Sequence, residues 1–203
     1  MATRGIKVEN VSQAYLELLA DRGIEYVLGN VNTSLVDAFA KRAAQKKATP
    51  RPIMVAHEYP AVAMAHGYAL ASGRPQVVMV HSTPGTANGV GAIINASRSQ
   101  VPIVFTAARS PIAEDPGTPG ARDIHVHWAQ ESYDQAGMLR EYVKWDYELR
   151  NAGQLEAVVD RALELATAEP RGPVYLTLPR DVMAQPLARF AFESPSRRRG
   201  TSR

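Results

Sequence analysis

The sequence predicts an α/β fold of three layers, a doubly wound, mostly parallel sheet with helices on both faces. Three observations carry that expectation. Short apolar runs alternate with segments of helical periodicity from Val8 to Leu178. The runs are continuously apolar rather than alternating, as in Gln76-Val77-Val78-Met79-Val80, which suits strands covered on both sides. Gly, Pro and Asn punctuate the joins. At 203 residues and 45% hydrophobic content, the chain can bury one sizeable core rather than two.

The elements follow in order. Val8 to Asp21 carries Val11, Tyr15, Leu18 and Leu19 at helical spacing, with Gly23 as its stop signal. Glu25-Tyr26-Val27-Leu28 is a short strand closed by Gly29-Asn30, and Ser34 to Gln45 is a helix with Leu35, Val36 and Phe39 inward. A polar link, Lys46 to Pro52, leads to Ile53-Met54-Val55-Ala56, read as a buried strand. A helix to Gly73 follows, with Pro60 in its first turn, where a missing N–H is no loss. Gln76 to Val80 is a strand ending at His81; Ser82-Thr83-Pro84-Gly85 links it to a small-residue helix from Thr86 to about Ser97. Val101 to Ala107 is the next strand. Ser110 to Asp123 is rich in Pro and Gly and long enough to be a functional or mobile loop. Beyond it lie a helical turn at Trp128 to Asp134, a strand at Tyr142 to Trp145, an amphipathic helix at Leu155 to Ala168, and a last strand, Val174 to Leu178, closed by Pro179.

Composition excludes several classes. There is no cysteine, so neither disulfides nor thiolate metal sites arise, and a reducing compartment fits. Met1 to Glu9 lacks the apolar run of a signal peptide, and no window reaches the roughly 18 apolar residues of a spanning helix. The expectation is a soluble, cytoplasmic protein without a membrane partner, in which the sequons at Asn10, Asn32 and Asn95 are chance occurrences. The net charge is +3, but Arg197, Arg198, Arg199 and Arg203 all lie in the last eight residues. The remainder is near neutral and shows no basic face interleaved with aromatics, so no nucleic-acid partner is expected.

Glu58 is the most informative residue. It falls between an apolar strand and a helix start, beside Ala56, Tyr59 and Ala61 and with no cation next to it in sequence. Partial desolvation there favours the neutral acid and suits proton exchange with a bound ring nitrogen. A helix-start carboxylate favoured by the dipole is the plainer alternative. The turn Gly29 to Thr33, the Glu58 corner and the loop His81 to Asn88 each follow a strand. All three are expected at the same sheet edge, where ligands bind in open α/β sheets. Gly89-Val90-Gly91 begins a dinucleotide fingerprint, but Ile94 occupies the third glycine position. His125-Val126-His127 has no evident third ligand, so no metal site is assigned.

Together, His57-Glu58-x-x-Ala61-x-x-Met64-Ala65-x-Gly67-Tyr68-Ala69 and His81-Ser82-x-Pro84-Gly85-Thr86-x-Asn88 resemble the pyrimidine-binding domain of thiamine-diphosphate-dependent enzymes. The branch is that of acetolactate synthase and benzoylformate decarboxylase. The likeness runs from about residue 6 to 183 and closes on Gly172-Pro173-Val174-Tyr175-Leu176-x-Leu178-Pro179-x-Asp181. It implies a domain over residues 1–185 and a basic, disordered tail over 186–203. In that family the glutamate matching Glu58 hydrogen-bonds the cofactor's aminopyrimidine and favours the tautomer that removes the thiazolium proton. His81 matches the histidine that transfers protons to substrate-derived intermediates, although a strand-end histidine bonded to backbone is the alternative. The resemblance also implies cofactor contacts at Thr33, Gly85 and Asn88, and a substrate-lining role for Thr33, His81 and Gln130, the last from Trp128-Ala129-Gln130-Glu131.

Two departures matter. Family members often carry Gly-x-Pro-Gly in the first loop, where this chain has Gly29-Asn30-Val31-Asn32-Thr33. No Gly-Asp-Gly occurs, the motif that with Mg²⁺ holds the diphosphate in a second domain. The resemblance therefore implies thiamine diphosphate as cofactor and a diphosphate-binding domain on another chain as partner. It further implies a homo- or hetero-oligomer, a small 2-oxo acid substrate and no turnover by this chain alone. FAD, bound with a middle domain in the synthase subgroup, finds no motif here. A truncated, inactive module and an unrelated α/β binding domain are the competing readings.

Overall fold

The computed structural model describes residues 2–30 and 32–194. Along the chain run β1 (Ala2–Lys7), α1 (Val11–Asp21), β2 (Tyr26–Gly29), α2 (Thr33–Ala44), β3 (Arg51–Met54), α3 (Glu58–Ser72), β4 (Gln76–Val80) and α4 (Ser82–Arg98). They are followed by β5 (Ile103–Arg109), α5 (Val126–Ala129), β6 (Asp146–Glu148), α6 (Leu155–Thr167), β7 (Val174–Pro179), α7 (Arg180–Ala184) and β8 (Arg189–Ser194). Six strands form one sheet in the order β3-β2-β4-β5-β7-β6, and every neighbouring pair is parallel.

Successive strand residues point to opposite faces, and β4 shows why Val77 to Val80 is continuously apolar. Val77 and Met79 pack with α1, α2 and α6 residues such as Leu18, Leu35 and Val159. Val78 and Val80 pack with α3 and α4 residues such as Ala61, Ala65 and Ile93. This is the expected three-layer, doubly wound arrangement. On the α3–α4 side the helices carry small residues because they lie close to the sheet. A Cβ on Gly89 would come within 2.6 Å of the Phe105 ring. The sequons have structural roles. Asn10 caps α1 by accepting from Gln13 N at 3.0 Å, and Asn32 caps α2 by accepting from Leu35 N at 2.9 Å. Asn95 donates to Tyr59 Oη at 2.9 Å.

Several expectations need correction. The strand expected buried over Ile53–Ala56 runs Arg51–Met54 instead, and Met54 is 65% exposed because β3 is an edge strand paired only with β2. Val36 lies outward, 51% exposed, because the inward face of α2 is set by Leu35, Ala38, Phe39 and Arg42. α4 begins at Ser82, four residues earlier than expected, since Pro84 falls in its first turn, where it displaces no helical hydrogen bond. The apolar run Tyr142–Trp145 is not a strand: Tyr142 N and Val143 N bond back to Leu139 O as a turn. Pairing with β7 passes instead to the half-buried, polar β6, where Trp145 stacks on Tyr147 at 5.3 Å.

The expected domain end at 185 also moves. β8 pairs antiparallel with β1 from Ala2↔Ser194 to Lys7↔Arg189, so the chain is part of the fold to Ser194. The rest of the expected tail, 195–203, lies outside the described residues. The β1–β8 ribbon explains why α1 is buried almost all round, Ser12, Gln13 and Glu17 included. Phe192 of β8 joins the α1–α6 core.

Candidate functional site

The strand order reverses between β2 and β4: the chain leaves β2 outward to β3 and returns across it to β4. A reversal of this kind opens a crevice at the carboxyl ends of the two strands. Gly29 ends β2 with φ +123°, a conformation side chains resist, and a Cβ there would come within 2.4 Å of Met79 O. The close β2–β4 approach at the crevice therefore requires glycine. Asn32 then starts α2, which puts Thr33 in its first turn, exposed.

A cleft of about 50 Å³ lies at this edge. Thr33, His81 and Gln130, three of the residues singled out in the sequence, line it together with Asn32, Ser82 and Arg180. His81 closes β4 and precedes α4, and its ring makes no capping bond to the helix backbone. Its Nδ1 is instead 3.2 Å from Ser82 Oγ, and Ser82 Oγ donates to Gln130 Oε1 at 2.8 Å. The alternative of a histidine bonded to backbone is thus not what the ring does. Ser82 is held in the left-handed region, φ +47°, a strained state for a residue with a Cβ and one that concentrates at functional sites.

Glu58, Gly85 and Asn88 form a neighbouring group and do not line the Thr33–His81 cleft. Glu58 is the first residue of α3, behind the cap His57, whose Nδ1 accepts from Tyr59 N at 3.2 Å. The carboxylate is half-buried, and its Oε2 accepts from Asn88 Nδ2 at 3.0 Å. Oε1 faces Gly85, where a Cβ would sit 3.2 Å from that oxygen and 3.0 Å from Val80 Cβ. Gly85 therefore lets α4 pack close against the acid and Val80, an approach that any side chain would crowd. The first two turns of α4 connect the two groups, with Ser82 in the cleft and Gly85 and Asn88 against Glu58.

Sequence reasoning missed the arginines of the lining. Arg109, His127 and Arg180 all line the cleft; Arg109 ends β5 and Arg180 follows β7, the same strand-end signal that selected Glu58 and His81, while His127 comes from α5. Arg180 donates to both oxygens of Asp123, at 2.8 and 3.2 Å, and this guanidinium holds the Asp123 carboxyl below its ordinary value. Burial, and then the charge of Arg180, push His127 below the usual imidazole value. The loop from Ser110 to Asp123 is tied in place: Asp181 accepts from Ile112 N at 3.1 Å and Ala113 N at 3.0 Å, and Arg122 Nε donates to Pro111 O at 2.8 Å. That gives the closing Pro179-x-Asp181 a structural task. The helical turn expected at Trp128–Asp134 is shorter and earlier, at Val126–Ala129. His127 Nδ1 lies 3.2 Å from Asp123 Oδ1, and among the described residues no three His, Asp or Glu side chains are grouped as a metal site. A larger groove, about 660 Å³, lies between β1 and the end of α2 and holds none of these residues. No helix among the described residues is long and apolar enough to cross a membrane.

Comparison with known proteins agrees with this architecture. The family described as thiamine pyrophosphate enzyme, N-terminal TPP binding domain, matches residues 9–138. Benzoylformate decarboxylase of Pseudomonas aeruginosa is 35% identical over 179 residues, covering 88% of this chain and 31% of the relative. The acetolactate synthase large subunit of Haemophilus influenzae is 27% identical over 187 residues, covering 91% and 30%. The structure of a thiamine diphosphate-dependent 4-hydroxybenzoylformate decarboxylase from Rhodococcus jostii RHA1 superposes with a TM-score of 0.70 at 27% identity, over 86% of this chain and 31% of that one. The chain thus spans about a third of the length of the relatives it matches. With the motif order, the parallel sheet and the family match over most of its length in agreement, the chain belongs to the N-terminal, thiamine-pyrophosphate-binding domain family of thiamine pyrophosphate enzymes.

Proposed function

We propose that this chain holds the aminopyrimidine of thiamine diphosphate and supplies the pyrimidine half of an active site acting on small 2-oxo acids. The observation that carries this reading is the half-buried Glu58 carboxylate, anchored through Oε2 by Asn88, with Oε1 facing Gly85. An acid with one oxygen fixed by an amide and the other without a hydrogen-bond partner among the described residues fits a heterocycle with a nitrogen to protonate. When bound, thiamine diphosphate supplies a thiazolium carbon nucleophile for attack on the substrate carbonyl. Glu58 holds and exchanges the proton at its carboxylate with the pyrimidine nitrogen. His81, in the cleft, moves protons to and from the substrate, while Thr33 and Gln130 line the space it reacts in. Arg109 and Arg180 bring two guanidinium groups to that cleft, which suits an anionic 2-oxo acid.

The residues here offer no Gly-Asp-Gly, so Mg²⁺ and the diphosphate are held by a diphosphate-binding domain outside them, and the working site lies between two domains of an oligomer. Nothing in these residues supports FAD. Calorimetric titration with thiamine diphosphate and Mg²⁺ tests the reading, with and without a diphosphate domain from a relative or a neighbouring reading frame. Tight binding and 2-oxo acid turnover are expected only in the mixture. Tight binding by a separate chain that excludes this one, or heat unaltered by adding it, overturns the proposal.

A further inference from the structure

We infer that Ser82 and Gln130 act as a positioning pair that fixes the tautomer of His81, keeping the proton on Nδ1 and leaving Nε2 as the base. The inference rests on the proton-transfer role proposed for His81 and adds the device that makes the ring ready for it.

A serine hydroxyl has one proton to give. Ser82 Oγ gives it to Gln130 Oε1 at 2.8 Å, so toward His81, at 3.2 Å, the same oxygen can only accept. The His81 nitrogen that meets it is Nδ1, which must therefore carry the hydrogen in the neutral ring. Nε2 is left with its lone pair. Three features make this a built arrangement rather than a chance contact. The strained φ of +47° at Ser82 is retained where an ordinary helix start would relax it. The turn carrying Ser82 is held from below, because Thr86 Oγ1 donates to Ser82 O at 2.9 Å and Gln135 Nε2 donates to Thr86 Oγ1 at 3.1 Å and Tyr175 Oη at 3.0 Å. His81 also differs from the other histidine that precedes a helix: His57 uses Nδ1 to accept from Tyr59 N at 3.2 Å, which leaves its proton on Nε2. Two histidines in equivalent places, each at the N-cap position of a helix, are thus set to opposite tautomers. The other chargeable groups lining the His81 cleft are Arg109, His127 and Arg180.

The test needs no cofactor and so separates this inference from the thiamine assignment. Long-range proton–nitrogen correlation spectra of the ¹⁵N-labelled chain, above about pH 8 where free imidazole is neutral, report which ring nitrogen is protonated. His81 is expected as the Nδ1–H form and His57, the internal reference, as the Nε2–H form. Ser82→Ala should remove the His81 preference and give mixed tautomers. Gln130→Glu should preserve it, because a carboxylate can only accept and so keeps the Ser82 proton turned away from His81. If Ser82→Ala does not fold, Gln130→Met gives the same reading by freeing the hydroxyl proton. An Nε2–H form at His81 in the unaltered chain, or an Nδ1–H form that survives loss of both Ser82 and Gln130 side chains, overturns the inference. Absence of thiamine diphosphate binding would instead overturn the function and leave the tautomer untouched.

Discussion

Glu58→Gln in the assembled site is expected to leave folding intact and to lower 2-oxo acid turnover by at least about a hundredfold, the usual scale for losing a positioned acid or base. The carboxylate is half-buried and its fixed partner is a neutral amide, Asn88 Nδ2, so a glutamine of the same shape should be tolerated. Only the exchangeable proton is lost. Thermal unfolding of the variant should match the unaltered chain within a few degrees, and steady-state turnover is the readout. Turnover that survives the substitution would remove Glu58 from the chemistry and leave it as a helix-start carboxylate at the amino end of α3, where the dipole favours a negative charge.

The second large effect is on stability and lies far from the chemistry. Arg42→Met is expected to destabilise the fold by about 3–5 kcal/mol, the cost of breaking a buried ion pair from one side. Arg42, at 1% exposure, pairs with Glu17 at 3%, and Glu17 also accepts from Arg4 Nη2 at 2.7 Å. Burial, and then the nearby Arg4, pull the Arg42 guanidinium below its ordinary value, so the charge is held there against its desolvation. Removing it leaves Glu17 buried with only the half-exposed Arg4. For a domain of this size the midpoint should fall by on the order of 10 °C. Replacing both partners, Glu17→Met with Arg42→Met, should recover much of that loss, since no buried charge then remains unpaired. A single variant melting within a degree or two of the unaltered chain would show that the pair is solvated.

The alternation of elements was legible because β4, β5 and β7 are buried on both faces and therefore mostly apolar. Edges were not. β3 and β6 border the sheet, one exposed and the other carrying Asp146 and Glu148, whose carboxylates serve Arg140 and Arg109, so neither has the composition of a buried strand. The β1–β8 ribbon joins the two ends of the chain, and pairing over that separation leaves no local pattern to read. Arg42 illustrates the same limit within a helix, for an inward arginine is invisible until its acid on α1 is seen. The candidate site was legible as single residues at strand ends, because topology sends those ends to one edge. Its division into a Glu58 group and a His81 cleft was not, since it depends on α4 starting at Ser82 and running between them. The arginine lining was missed because nothing local sets Arg109 or Arg180 apart until the fold brings both to the cleft with His81.

The claim on which the rest depends is that the Glu58 carboxylate meets the pyrimidine ring, and the structure of the assembled site with thiamine diphosphate and Mg²⁺ tests it most directly. The expected result is a Glu58 oxygen within about 3 Å of a ring nitrogen, the ring lying over Gly85 and Asn88 still bonded to the other oxygen. A ring seated elsewhere, with Glu58 bonded to Asn88 alone, would contradict it.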